Sequence, residues 1–398
     1  MLREYLQTGH LPIGVDIGGG GARLLQLRKV KGAYTVVAAA RVDLGVKADE
    51  MDVEERRQSL FEGLKRKIIG AGFVGRQCFV AADDSLLRVR SVRQPQMPRE
   101  ETDRAIRLEG SERLGFDAGE TAEIGWVRAG EIHQGDDLRD ELIVVGAKAP
   151  ELERLVDDVC ELGLRPLAVE PGFLACGRTF SRAYRRASDS NVVRMVVDVG
   201  ARTTGVVILR GCDVVFYKSL PMGGARLTEA AAEQLDMKPE TIAELRRQRM
   251  LNVEQDGARK HDSRADRAIY DAVRPLLEEM AGEVALCLRY YMVTFRGSPP
   301  ERALIVGGHA REPGLKEAIG EALHADTEIG RPLEGIDTSC ASLAMDRRGD
   351  LAEWSVAAGL SLRGDSSQTA DIAPDAAGPA TQQRRDGQTT RTPRREAA

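Results

Sequence analysis

Two short segments of the sequence contain the residue types that bind phosphate groups. In the first, Asp16 ends an apolar run and Arg23 follows shortly after, and between them stand the consecutive glycines Gly18, Gly19, Gly20 and Gly21. A phosphate group needs several backbone N–H donors that converge on one point, and glycine allows a tight turn to aim successive amides inward. The segment is equally compatible with a flexible hairpin turn, so by itself it leaves both interpretations open.

The second segment has the same design and lies much later in the chain. Asp198 ends an apolar run, and the turn that follows is made of Gly200, Ala201, Arg202, Thr203 and Thr204. Two such turns that face each other can hold a triphosphate from both sides. Asp16 and Asp198 are then placed to hold Mg²⁺ through water, because Mg²⁺ loses its bound waters reluctantly. The pair of segments therefore predicts a site for ATP and Mg²⁺.

Two glycine pairs add to this pattern. Gly307 and Gly308 directly follow the apolar run 303–306, and glycine at a strand end lets the backbone approach a flat base or a ribose closely. An ordinary strand-to-helix turn explains the same residues. The pair Gly223 and Gly224 is a further small-residue site, although it is less specific.

The phosphate-binding segments are each placed between two predicted strands, and a third strand follows each time. The apolar runs 13–17 and 195–199 lead into the turns, and the runs 24–27 and 206–209 leave them. Short apolar runs bounded by turn residues are typical of strands. The chain therefore reads as an α/β protein that contains two copies of one β-rich unit.

Other segments interrupt the two copies. Helical and strand-like patterns between the core runs predict an inserted subdomain in each half, while the last residues are polar, contain no aromatic residue and are predicted to be disordered. The predicted segments are an N-terminal extension (1–12), a first core unit (13–85 and 142–190) with its insertion (86–141), a second core unit (191–224 and 301–362) with its insertion (225–300), and the disordered tail (363–398).

Composition excludes several classes of protein. A net charge of -5 and a pI near 5.8 provide no basic field that would attract nucleic acid. No apolar run approaches the roughly 20 residues that span a bilayer, and the first residues lack the apolar core of a signal peptide. The 6 cysteines form no CxxC pair and are interpreted as buried free thiols. We therefore expect a cytoplasmic protein without a nucleic-acid partner or a direct membrane span.

The order of these motifs resembles that of the superfamily of actin, heat-shock chaperones and sugar kinases. Asp16, Glu170, Asp198 and Gly307 fall where those proteins have the first phosphate turn, the connecting strand, the second phosphate turn and the adenosine motif. Within the superfamily the sequence is most similar to the PilM family of type IV pilus assembly proteins, itself similar to the division protein FtsA. The resemblance covers about 13–362 and is carried by the stretches 13–27, 93–116, 142–170, 196–209, 223–229, 288–291 and 304–315.

The resemblance implies an actin-like ATPase fold with ATP and Mg²⁺ in the cleft between the two halves. It makes Glu170 the candidate that positions an attacking water, although a surface or capping carboxylate explains that residue equally well. It also implies that Glu244 and Arg247, which share a face of a predicted helix, frame the adenine. A solvated helix face is the alternative interpretation of this pair.

The first turn departs from the superfamily pattern in one respect. Such families usually have serine or threonine hydroxyls where this sequence has Gly20 and Gly21, and often a lysine where it has Arg23. Each lost hydrogen bond to a phosphate is worth roughly 0.5–1.5 kcal/mol net. We therefore expect ATP binding with at most slow ATPase activity.

The resemblance further implies a scaffold that docks the N-terminal cytoplasmic peptide of an inner-membrane partner of the PilN type. The protein would then be peripheral to the inner membrane through this partner, with the assembly motor ATPase as a second candidate partner and self-association left open. In the insertion, Arg88, Arg90 and Arg93 alternate with the apolar residues Leu86, Leu87, Val89 and Val92, as in a strand that lines a peptide groove or in an ordinary edge strand. A small-molecule kinase on the same fold and an FtsA-like division protein are the alternative functions.

Overall fold

The first core unit of the computed structural model is a five-stranded sheet. The structure describes residues 9–45, 51–134, 137–184, 186–256, 264–341, 343 and 349–365. The sheet has the order β3-β2-β1-β4-β8. Its strands are β1 (Ile13–Gly18), β2 (Gly21–Val30), β3 (Ala33–Asp43), β4 (Gln77–Ala82) and β8 (Arg165–Pro171). Helices α1 (Val53–Ile68) and α3 (Ala149–Glu161) belong to the same unit.

The second core unit repeats this topology. Its sheet has the order β11-β10-β9-β12-β13. In each unit the first strand pairs antiparallel with the next strand of the hairpin and parallel with the fourth strand of the unit. The duplication predicted from the sequence is therefore confirmed. The strands are β9 (Val193–Val199), β10 (Thr204–Arg210), β11 (Asp213–Leu220), β12 (Arg302–Val306) and β13 (Thr327–Ile329).

The insertion of the first half is a small sheet covered by a helix. Strands β5 (Arg88–Pro95), β6 (Ala122–Gln134) and β7 (Asp137–Lys148) have the order β5-β7-β6, and α2 is Arg99–Leu114. The boundary predicted at 142 differs from this arrangement, because residues 142–146 belong to β7 and extend the insertion to Lys148. On one face of β7, Leu142 and Val144 pack in the insertion's own core, while Ile143 and Val145 on the other face join the main core.

Helices make up the insertion of the second half, and two other helices connect the two units. The insertion contains α5 (Gly224–Leu235), α6 (Pro239–Asp256) and α7 (Arg264–Phe295), and α8 (Leu315–Leu323) packs against α7. The predicted inner face of α7 is buried, with Ile269, Val273, Leu277, Met280, Val284 and Leu288 in the core. Two more helices, α4 (Gly172–Ser181) and α9 (Ser355–Leu362), cross between the halves and pack against each other.

The packed body continues to the last described residue. Arg363 forms an ion pair with Glu170, and Asp365 is buried and bonded to Lys29 and Tyr34. Residues 363–365 therefore belong to the packed body and not to a disordered tail, and the rest of that prediction, for 366–398, lies outside the described residues. Three of the six cysteines, Cys160, Cys212 and Cys340, are exposed rather than buried. Within the described ranges, no helix has the length and apolar character needed to cross a membrane.

Candidate functional site

A cleft of about 640 Å³ lies between the two core units. It opens where both phosphate-type turns, the ends of β4 and β12, and the helices α5 and α6 meet. Most residues predicted as a binding site line it, namely Asp16, Gly18, Gly19, Gly20, Arg23, Asp198, Gly200, Ala201, Arg202, Thr203, Gly224, Glu244, Arg247, Gly307 and Gly308. Four predicted residues do not line it, namely Gly21, Glu170, Thr204 and Gly223.

The first turn joins β1 to β2 and must approach other backbone closely. Gly21 has a φ of 156°, and a Cβ on this residue would overlap the carbonyl oxygen of Val42. A Cβ on Gly20 would lie 3.0 Å from the Cβ of Ala201 in the second turn. Gly21 is therefore required by tight packing, and a larger side chain at position 20 would push against the opposite turn.

The second turn is supported from behind by the start of α5. The amide of Gly200 donates to the carbonyl of Thr203 across the turn, and the amides of Gly224 and Ala225 donate to the carbonyls of turn residues. Thr204 donates its hydroxyl to the Met222 carbonyl at 2.6 Å, which turns this side chain away from the cleft. The backbone of the turn is thus held rigidly, and Thr203 is the threonine left facing the cleft.

The two aspartates at the strand ends face each other in a desolvated site. Burial raises the pKa of Asp16 to about 6, with Asp83 and Asp84 adding repulsion and Arg23 opposing it. Burial together with the charge of Asp16 raises the pKa of Asp198 to about 7. Two carboxylates that are held close together and short of compensating charge fit a divalent cation, because the cation would restore their ionised form.

The end of β12 forms the other side of the cleft. Gly307 has a φ of 92°, and a Cβ on it would overlap the carboxylate of Asp198. His309 follows and lies flat over Gly224, where a Cβ would overlap its ring. Burial, together with Arg246 and Arg23, lowers the pKa of His309 to about 3, so its imidazole is neutral at physiological pH. Sequence reasoning missed His309, although its position directly after the double glycine was a usable signal.

The helix α6 presents one buried and one partly exposed arginine to this region. Arg246 is buried, pairs with Glu312 at 2.8 Å and donates to the carbonyl of Gly224, which fixes α6 against α5. Arg247 pairs with Glu244 at 2.8 Å, and both side chains remain about half exposed. The predicted pair therefore lies on the cleft wall, while the buried Arg246 holds that wall in place.

Glu170 lies outside the cleft. Its two carboxylate oxygens accept hydrogen bonds from Arg178 at 2.7 and 3.0 Å, and Arg363 lies 2.9 Å from the same carboxylate. The residue is 5% exposed. A buried carboxylate that is paired with two arginines is not available to a water in the cleft. Its position therefore does not favour the catalytic role predicted from the sequence.

Two aspartates that the sequence analysis did not select do line the cleft. Asp83 and Asp84 directly follow β4, and parallel strands end at the same edge of a sheet, which was the available signal. Asp84 accepts hydrogen bonds from Tyr217 at 2.7 Å, Ser219 at 3.3 Å and Thr203 at 3.4 Å, all in the second half. Burial raises the pKa of Asp84. This carboxylate is a direct hydrogen-bonded link between the two halves at the cleft.

Comparisons with known proteins agree with this architecture. The family model described as type IV pilus assembly protein PilM matches residues 14–365. A solved structure of the PilM–PilN type IV pilus biogenesis complex superposes with a TM-score of 0.71 at 21% identity, covering 89% of this chain and 98% of that chain. The ethanolamine utilization protein EutJ from Carboxydothermus hydrogenoformans is more distant, with a TM-score of 0.48, 16% identity, and coverage of 89% and 90%. The actin-like ATPase fold predicted from the sequence is confirmed.

Proposed function

Since this chain belongs to the PilM family of type IV pilus assembly proteins, we propose that it binds ATP with Mg²⁺ and serves as a scaffold for a PilN-type partner at the inner membrane. The observation that carries the nucleotide site is the meeting of two duplicated turns, with Asp16 and Asp198 at their bases, in one cleft. The family assignment does not favour the kinase or the FtsA-like division protein.

Each part of the cleft has a role in this proposal. The backbone amides of both turns hold phosphate oxygens, and Asp16 and Asp198 hold Mg²⁺ through its waters. Gly307 and Gly308 allow a close approach of the ribose and base, which Glu244 and Arg247 border. Bound Mg²⁺ would neutralise phosphate charge. Hydrolysis is proposed to be slow, because the first turn offers amides without hydroxyls and Glu170 is engaged elsewhere.

Calorimetric titration tests the nucleotide site. Wild-type protein should bind Mg-ATP at one site, and Asp198→Ala should weaken that binding strongly because it removes one of the two metal-facing carboxylates. Asp213→Ala, an exposed aspartate at the start of β11, is the matched control and should bind like wild type. The absence of any binding by wild-type protein at millimolar ATP would refute this half of the proposal.

The partner surface is proposed to lie between the first insertion and the first core unit. Strand β5 is at the edge of its sheet. Leu87, just before this strand, and Val89 in it pack against the main core, while Arg90 is exposed, so apolar and charged side chains lie close together along this edge. A short peptide buries little area and needs a preformed groove with a few fixed polar contacts. The solved relative in the PilM–PilN complex supports a PilN-type partner.

A synthetic peptide from the N-terminus of the adjacent membrane protein tests the partner proposal. We expect binding in the micromolar range, weakened by the double change of Arg88 and Arg90 to Glu, with ATP affinity unchanged. Arg88 also donates to the Gly115 carbonyl and lies over the Phe116 ring, so the single change Arg90→Glu isolates the surface effect. Lys316→Glu on α8 is the matched charge-reversal control.

Two outcomes distinguish the parts of this proposal. If wild-type protein binds no peptide in the presence or absence of ATP, the docking role is wrong even if ATP binds. If Arg90→Glu and Lys316→Glu weaken peptide binding equally, the effect comes from general electrostatics and the groove lies elsewhere. Contact with the motor ATPase and self-association stay predictions.

A further inference from the structure

One arginine in the cleft differs from the others in its partners. Of the arginines that line the cleft, five have a carboxylate within 4.0 Å, in the pairs Arg23–Asp43, Arg41–Glu353, Arg246–Glu312, Arg247–Glu244 and Arg311–Asp350. Arg202 is the sixth. It forms no ion pair or hydrogen bond with any residue in the part of the chain that the structure describes. A guanidinium that lines the cleft and has no partner among the described residues is available to an anion from outside the protein.

The stem of Arg202 is held between the two turns. It belongs to the second turn, and its chain extends over the first turn, where a Cβ on Gly19 would lie 3.0 Å from Cδ and 3.5 Å from Nε. The neighbouring Ala201 faces Gly20 at the same close distance. Glycine at position 19 is therefore the residue that lets the arginine chain pass. The Nε end of the guanidinium therefore lies beside the first turn, in the lining of the cleft.

The position also explains what replaces the missing groups of the first turn. That turn has glycine where hydroxyls would be expected, and its Arg23 already has Asp43 within 3.9 Å. Arg202 offers several N–H donors in a planar fork, which matches the oxygens of a phosphate group better than a point charge does. The additional N–H donors thus come from the second turn, next to the glycines of the first turn that lack hydroxyls.

We propose that Arg202 contacts the terminal phosphate of a bound nucleoside triphosphate and so makes the cleft prefer a triphosphate to a diphosphate. This inference rests on the proposed nucleotide site. The turn amides serve phosphates that both nucleotides share, whereas a side chain that reaches the gap between the turns meets the group that only the triphosphate has. Removal of the Arg202 charge should therefore lower the affinity for the triphosphate and leave the affinity for the diphosphate almost unchanged.

Calorimetric titration of Mg-ATP and Mg-ADP into the full chain tests this. Arg202→Gln keeps most of the stem that packs on Gly19 and removes the charge. We expect it to raise the Kd for ATP about tenfold or more, since hydrogen bonds to charged groups are worth about 1.5–3 kcal/mol, and to change the Kd for ADP less than about twofold. Arg202→Lys keeps the charge without the fork and should lose only part of the ATP affinity.

Two controls separate this role from a structural one. Arg247→Gln lies near the proposed base position, so it should change the affinity for both nucleotides by the same factor. Thermal unfolding of Arg202→Gln without nucleotide should match wild type, because the arginine is exposed. Equal loss of ATP and ADP binding, or no loss of either, overturns the inference. Failure of wild-type protein to bind either nucleotide overturns the nucleotide site itself.

Discussion

At the scale of single residues, the two strand-end aspartates of the cleft are unfavourable in their ionised form. Asp16 and Asp198 keep only a small opening to the cleft, and the surrounding protein removes most of the water that would stabilise their ionised forms. Arg23 offsets the repulsion only in part. Such a site is less stable when empty and ionised than when a cation is bound, as is common where a protein prepares a binding site.

Asp198→Asn should reveal this cost of ionisation through the pH dependence of its stability. Because the folded pKa of about 7 lies above the ordinary 3.8, the native state retains a proton that the unfolded chain releases, so stability falls as pH rises through this window. Asparagine has a similar shape and does not titrate. Without metal or nucleotide, the free energy of unfolding of the variant should therefore equal that of wild type near the low end of the window. Towards pH 7 the variant should become the more stable of the two.

Urea unfolding at several pH values within and above that window measures the difference in the free energy of unfolding. Added Mg²⁺ should reduce the advantage of the variant, because the cation stabilises only the wild-type carboxylate. A difference that is the same at every pH would show that Asp198 is not desolvated in the folded protein.

At the scale of elements, the two crossing helices join the halves that form the cleft. Helix α9 follows the second core unit in the chain but packs on β1 and β2 of the first, and α4 contacts β10 and β11 of the second. Their axes approach closely at Gly359, where a Cβ would overlap the carbonyl oxygen of Ala175. The connection between the halves therefore depends on a small residue at one helix crossing.

Gly359→Ala should destabilise the protein by about 3 kcal/mol or more, since the new methyl group must push α9 away from α4. Gly282→Ala in the exposed face of α7 is the matched control, because nothing lies within 4 Å of its added Cβ. That control should stabilise by about 0.5–1 kcal/mol through helix propensity. Chemical denaturation measures both, and equal effects of the two changes would contradict the tight crossing.

At the scale of the whole molecule, the last described residues close the body around the first core unit. Glu170 of β8 receives Arg178 from α4 and Arg363 from the end of α9, while Asp365 is paired with Lys29 at 2.6 Å. These contacts join segments that are far apart in sequence. Breaking a buried ion pair by removing one partner commonly costs about 3–5 kcal/mol, because the other charge stays buried.

Two truncations distinguish the contribution of residues 363–365 to stability from that of residues 366–398. A chain that ends after Asp365 should keep its melting temperature and its ATP affinity, because residues 366–398 have the composition of a segment that cannot form a core. A chain that ends after Leu362 loses Arg363 and Asp365 and should melt several degrees lower. Thermal unfolding compares the two, and a large loss in the longer of these chains would mean that the tail packs on the body.

The sequence by itself determined the fold, the duplication and the location of the two turns. These features are local, because strand periodicity, an aspartate at a strand end and a run of glycines are all read within a few residues. Their order along the chain was then sufficient to predict the family. The buried face of α7 could be predicted for the same reason, since helical spacing alone specifies it.

Only the tertiary structure decided which side chains face the cleft and which are already paired. Glu170 and Thr204 stand next to residues that line the cleft, yet their partners, Arg363 and the Met222 carbonyl, turn them inward. Arg202 is distinguished from the other cleft arginines only by its lack of a described partner. The pairing of these polar side chains depends on groups that meet only when the chain folds, so no local pattern could report it.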